Sequence, residues 1–382
     1  MLELPSFTFV PGWLYIPLFD WIILLLILTT LAKCNDGTVY KWNASKATRF
    51  WGGIFVIFLI LYIGLRPTIE QAGYDFCDTF HYKACIVALK HSGIQSWLDT
   101  NPFSKGEWLY ASIESISATY ADEHLAFLIC ATAYVGCSAI FCQRTFEKQW
   151  FIPFLTICST FTFFAYGVNG VRNGMAASMV ILAFSYRDRL WIAALLCFLA
   201  LGVHKSMLLL IGSALLCWKV TNPKLYIVGW LLCIFAAAVA GPSLSTAIAS
   251  SGIIEDDRFI GYGIHGASRD GFYTGFRADF ILYSSLPIIT GAYFIFKKNY
   301  QDTIYIWLYN IFITANAFWV LMMYASFSNR FAQLSWFIMP IVCIYPWMKQ
   351  YFWKKKQTHY LAQYIIICYA YTFITHLVFP LL

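Results

Sequence analysis

Apolar runs of about 16 to 22 residues recur from one end of the chain to the other, and no other feature restricts the fold as much. In hydrocarbon, backbone N–H and C=O groups need partners within the protein, and runs of this length suit helices of about 20 residues. With 60% hydrophobic and only 12% charged residues over 382 positions, the chain reads as an all-α polytopic integral membrane protein. Water-soluble catalysis is excluded as a starting point. Twelve spans are expected, at 13–32, 50–65, 124–142, 150–167, 171–186, 190–204, 206–218, 225–241, 279–296, 303–324, 331–348 and 359–379. The seventh is short enough for a buried half-helix or helical hairpin to replace a crossing. With no internal repeat and no low-complexity linker, residues 1–382 read as one transmembrane domain.

Twelve alternating spans sort the connections into two groups. One holds Lys33, Lys41, Lys46, Arg49, Arg144, Lys148, Arg187, Arg189, Lys219, Lys224, Lys297, Lys298, Lys349 and Lys354 to Lys356, 16 basic residues against the four acids Asp36, Glu147, Asp188 and Asp302. Excess lysine and arginine mark the cytoplasmic side. The other group keeps 10 of the 26 basic and 15 of the 19 acidic residues, so both termini are expected outside. The net charge of +7 thus resolves into about +12 inside and −5 outside, which is no signature of nucleic-acid binding.

The N-terminal MLELPSFTFVPGW lacks a basic segment and precedes a run long enough to span, so the first helix is expected to stay in the protein. Most of the 12 cysteines fall within spans and read as small packing residues. Cys77 and Cys85 share an outer loop, where a bridge is an open alternative. The sequon Asn43-Ala44-Ser45 falls in the cytoplasmic group.

Two outer loops are long, at 66–123 and 242–278, and loops of this length usually carry function. The first contains Gly73-Tyr74-Asp75-Phe76-Cys77-Asp78 and GEWLYASIESISATY. In the latter, Leu109, Ile113, Ile116 and Tyr120 recur at helical spacing with Glu107 and Glu114 off the stripe. That predicts an amphipathic helix at the outer interface, placed to roof a cavity. The second loop carries Arg258, Arg269 and Arg277 among glycines, as an adaptable segment would.

Arginines stand at outer span ends against the charge rule: Arg66, Arg172, Arg277 and Arg330. Each needs a partner. One alternative is pairing with Asp75, Asp78, Asp279 or the Glu255-Asp256-Asp257 run, or contact with lipid headgroups. The other is an anionic ligand at one common depth, where guanidinium forks match phosphate oxygens in pairs. His204, beside Lys205 and Ser206, is a candidate base, because Lys205 would disfavour the imidazolium. Asp75, Asp78 and Asp279 compete for that role. Tyr74, Trp97, Trp108, Tyr110, Tyr120, Tyr262, Tyr273 and Tyr324 lie outside or at that interface, where a minority would stack on sugar rings and the rest form the aromatic belt.

Gly73-Tyr74-Asp75 after Arg66, the start Arg172-Asn173-Gly174-Met175-Ala176, the turn His204-Lys205-Ser206 and Asn329-Arg330-Phe331 occur in this order over residues 66 to about 340. In order and membrane side they resemble the polytopic Wzy-type polysaccharide polymerases, specifically the EpsG-like branch. The family's tyrosine after the aspartate segment is displaced here to Tyr82. The resemblance implies a GT-C-like membrane glycosyltransferase of the bacterial plasma membrane with an outward active site, serving O-antigen, capsule or exopolysaccharide synthesis. It transfers a growing glycan from undecaprenyl pyrophosphate onto a lipid-linked repeat unit. It further implies that Arg172, Arg277 and Arg330 hold pyrophosphate, that Arg66, Arg258 and Tyr74 make peripheral contacts, and that His204 or Asp75 deprotonates the acceptor. On the same resemblance no nucleotide sugar or cofactor is needed, and a chain-length regulator protein is an expected candidate partner. A metal is not required if the arginines neutralise the leaving group, with Asp75 and Asp78 keeping a metal as an open alternative. A polyprenyl-linked glycan transporter, a membrane-bound O-acyltransferase using His204 with Asn310 or Asn316, and a ligase remain alternatives.

Overall fold

The computed structural model describes residues 4–68, 77–99, 107–250, 275–325 and 328–378. Among them the regular structure is entirely helical: α1 Gly12–Asn35, α2 Val39–Asn43, α3 Lys46–Gly64, α4 Cys77–Asp99, α5 Trp108–Tyr120, α6 Glu123–Phe146, α7 Phe151–Cys158, α8 Phe161–Val168, α9 Val171–Phe184, α10 Leu190–Val203, α11 Met207–Lys219, α12 Pro223–Ser250, α13 Ala278–Ala292, α14 Thr303–Met322, α15 Asn329–Trp336, α16 Met339–Lys349 and α17 Gln357–Val378. Side chains fix several helix starts by accepting from otherwise unpaired N–H groups. Ser45 Oγ accepts from the Thr48 amide at 3.1 Å, Asp122 Oδ1 from His124 at 3.0 Å, and Asp302 Oδ1 from Ile304 and Tyr305, each at 2.9 Å.

The twelve expected spans fall on these helices, but among the described residues fewer than twelve stretches are long and apolar enough to cross a membrane. Among the described residues seven stretches are long and apolar enough to cross: α1, α3, α6, α12, α13, α14 and Arg330–Lys349. An eighth is available if α7 and α8, bent by 72° at their junction, count as one broken span. The stretches expected at 171–186, 190–204 and 206–218 become α9, α10 and α11, of 14, 14 and 13 residues. At a rise of ~1.5 Å per residue these reach only about 20 Å, short of a hydrocarbon core of ~30 Å. Hydropathy finds the runs but not where a turn interrupts them. The last expected span falls on α17, which is 22 residues long. The chain is therefore a polytopic α-helical membrane protein with fewer full spans than its apolar runs suggest.

The chain divides into two compact units, Met1–Leu208 with Trp347–Leu382, and Leu209–Pro346. In the first, α6 is central and packs against α3, α5 and α9, while α9 also packs against α8 and α10. Every residue of α9 is buried except Arg172. In the second unit α12 lies along α14, and α14 along α15. A buried polar network closes this packing. The Asn316 amide donates to Ser284 Oγ at 2.9 Å and Ser335 Oγ at 3.0 Å, and its carbonyl accepts from Trp230 Nε1 at 2.8 Å. Such satisfied asparagines hold membrane helices together.

The loop at 66–123, expected outside, contains two helices where the sequence suggests one, since α4 precedes α5. Along α5 the expected apolar stripe divides between two surroundings. Ile116 is 48% and Tyr120 67% exposed, while Tyr110, Ile113, Ser117 and Ala118 are buried. The helix is rotated so that its acidic side, with Glu107 buried, faces into the first unit.

Candidate functional site

Two glycines let their neighbours approach closely around the head of α9. A Cβ on Gly174 would stand 2.8 Å from the carbonyl oxygen of Tyr166, so α9 starts hard against the end of α8. A Cβ on Gly202 would stand 2.6 Å from the Trp108 ring, so the first residue of α5 lies on the last turn of α10. That contact sets the neighbouring Glu107 between Arg172, at the start of α9, and His204, which ends α10 in extended conformation.

Glu107 is shared. Its Oε2 accepts from Arg172 Nη1 at 2.6 Å, and its Oε1 lies 3.6 Å from His204 Nδ1. The Ser206 amide points to the same Nδ1 at 3.2 Å, and Ser206 Oγ donates to Asn173 Oδ1 at 3.2 Å. The segments Arg172-Asn173-Gly174 and His204-Lys205-Ser206, far apart in sequence, are thus one cluster. The rings of Tyr110 and Tyr82 lie 5.4 and 6.0 Å from the Arg172 guanidinium carbon, within cation–π range. Arg172 Nε is buried with no hydrogen-bond partner, while 21% of the side chain stays exposed. Lys205 is exposed, so the charge facing the imidazole is the Glu107 carboxylate, opposite in sign to the one its sequence neighbour suggests.

Glu114, one helical repeat along α5, is a second acid near this group. Burial pushes its carboxyl up to about 7, against the pull of Arg172 and a Tyr110 hydrogen bond and with help from Glu107. Because the native value exceeds the unfolded one, the native protein holds an extra proton between about pH 4.5 and 7. The stability this contributes is present at low pH and is lost as pH rises through 7. The thermal midpoint of Glu114→Gln relative to wild type is expected to climb across that window in a pH series. A constant difference would remove Glu114 from the titration.

Arg66 is fully buried. Its Nε donates to Thr79 Oγ1 at 2.8 Å, Nη1 to the Ile63 carbonyl at 2.9 Å and Nη2 to the Val168 carbonyl at 3.2 Å, and its guanidinium carbon lies 3.8 Å from the Phe127 ring centre. Burial pushes it down to about 10, so it stays charged at neutral pH. In the second unit, Arg277 caps α13 and forms a two-toothed pair with Asp279, at 3.0 and 2.7 Å, with its guanidinium 4.1 Å from Phe280. Arg330, second residue of α15, is half-buried. Tyr74, Asp75 and Arg258 lie outside the described residues, as do the Glu255-Asp256-Asp257 run and the side chain of Cys77. Cys85 carries a free thiol, 3.9 Å from His81 Nε2.

Sequence reasoning brings Arg172 and His204 together and misses the group that joins them. Glu107 has a signal, an acid just ahead of a helix and off its apolar stripe, but periodicity does not say which side of that helix meets protein. Tyr82, the displaced family tyrosine, returns to the site, buried against Arg172 with its hydroxyl 3.4 Å from the Asn169 carbonyl.

No curated protein and no solved structure matches the chain. A model of the EpsG family, however, matches residues 49–381, a stretch that takes in every segment just described. The chain is a member of the EpsG family.

Proposed function

We propose that the protein is a polysaccharide polymerase, a membrane glycosyltransferase of GT-C-like design that works on the outer face of the bacterial plasma membrane. The observation carrying this reading is Arg172, the only residue of α9 that is not buried, set between a carboxylate, a histidine and two tyrosines. A guanidinium so placed suits the pyrophosphate of a polyprenyl-linked glycan, and the two buried tyrosine rings support it by cation–π contact.

On this reading the acceptor hydroxyl of a lipid-linked repeat unit gives its proton to His204 or Asp75. Its oxygen bonds to the anomeric carbon of the growing glycan, and the bond from that carbon to pyrophosphate breaks. Undecaprenyl pyrophosphate leaves with its charge offset by Arg172. Arg258 and Tyr74 add contacts from the long loops. Arg66, enclosed by protein, shapes the end of α8 that α9 starts from, and does not itself touch ligand. Glu107 steadies the positive charge that His204 gains with the proton.

Purified protein in vesicles, supplied with polyprenyl-pyrophosphate-linked repeat units, is expected to yield a ladder of longer glycans. Movement of intact substrate across the vesicle wall with no ladder would instead identify a transporter.

A further inference from the structure

The carboxylate of Glu107 does to Arg172 what a phosphate oxygen would do. It lies 2.6 Å from Nη1, a short charge-assisted contact, while its other oxygen is 3.6 Å from His204 Nδ1. That second distance is too long for a hydrogen bond, and the ring nitrogen instead takes the Ser206 amide at 3.2 Å. In the neutral ring, an N–H aimed at Nδ1 assigns Nδ1 as the acceptor and the ring proton to Nε2. In this arrangement His204 offers a donor at Nε2 and is not ready to act as a base there.

We infer that Glu107 is a resident anion that holds the Arg172 fork until a pyrophosphate displaces it onto His204. The inference rests on the reading of Arg172 as a pyrophosphate ligand and adds an order of events. Ligand oxygens take Nη1, and the freed carboxylate turns about its own side-chain bonds to close the 3.6 Å gap. The Ser206 amide gives up Nδ1, which takes a proton from solvent and donates it in a hydrogen bond to Glu107, while Nε2 releases its own proton to solvent. The ring gains one proton and loses one, so its charge is unchanged. The outcome is a lone pair on Nε2 only when an anion is bound, so the proton acceptor is armed by the donor substrate. Glu107 acts through the other two groups and is a positioning residue.

Titration of the full-length protein in lipid nanodiscs with inorganic pyrophosphate tests this. Glu107→Gln keeps the shape and removes the competing charge, and is expected to tighten pyrophosphate binding about tenfold, the weight of one charge-assisted hydrogen bond. The same variant is expected to lose polymer formation. A merely structural role for Glu107 would weaken both. Glu107→Asp, which keeps the charge but withdraws it by one methylene, is expected to shift binding and turnover in the same opposed directions. In the unaltered protein, 15N-histidine spectra assigned with His204→Gln should show His204 passing from the Nε2-protonated to the Nδ1-protonated form on adding pyrophosphate. If wild type binds through Arg172 but Glu107→Gln binds no tighter, or the tautomer does not change, the resident-anion role falls and the reading of Arg172 stands. If pyrophosphate binds wild type and Arg172→Ala alike, or binds neither, both fall together.

Discussion

Arg172→Ala is expected to reduce the product in cells lacking the native gene to lipid-linked single repeat units, a fall in polymerisation of at least about a hundredfold, as when one preorganised charge-stabilising donor is lost. The measurement is the chain-length distribution of the lipid-linked glycan. Arg172→Lys is the sharper control. It keeps a cation at the head of α9 against Glu107, so the site stays neutral as a pair, but an ammonium lacks the planar fork that meets two oxygens at once. Short chains from the lysine variant would locate the requirement in the fork rather than in the charge. A distribution unchanged in Arg172→Ala would remove this residue from the reaction.

Arg66 is expected to behave differently, although the sequence groups it with Arg172. Its donors reach Thr79, the Ile63 carbonyl and the Val168 carbonyl, and the last of these ends α8. Thr79 Oγ1 donates to that same carbonyl at 2.9 Å. Arg66→Ala would leave a cavity and strip partners from buried carbonyls, a loss of roughly 3 kcal/mol. Lysine would rescue it only in part, since one ammonium cannot serve three acceptors held at fork angles. The expected result is a lower thermal midpoint and poor recovery of folded protein in detergent, with the surviving folded fraction binding pyrophosphate as wild type does. A normal midpoint with lost pyrophosphate binding would instead put Arg66 against the ligand.

The contrast between these two arginines shows how far the residues alone can be read. Apolar runs place the helices well, because hydrocarbon leaves a long apolar segment few other options. They do not reveal that Ser159 and Thr160 break a run into α7 and α8, or that α9 ends after 14 residues, since turns inside apolar sequence leave little trace in hydropathy. The misplaced charge of Arg172 is visible because it stands against the positive-inside rule. Its partner is not, since whether Glu107 faces in or out depends on a rotation of α5 fixed by Trp108 meeting Gly202. A contact between residues 94 positions apart is outside the reach of periodicity. Charge counting likewise cannot separate a guanidinium sealed by three protein acceptors from one with an exposed edge, and that difference divides Arg66 from Arg172.

A helix too short to cross the bilayer, with twelve apolar or small neighbours along it buried on every side and one charge at its head, is not positioned by lipid at all. Full spans tilt and slide to match the thickness around them. The place of α9 is set chiefly by α6, α8 and α10, so the charge at its tip is registered against protein. A bilayer that thins or thickens as the cell changes its lipids would move the outer helices and leave that charge where it is.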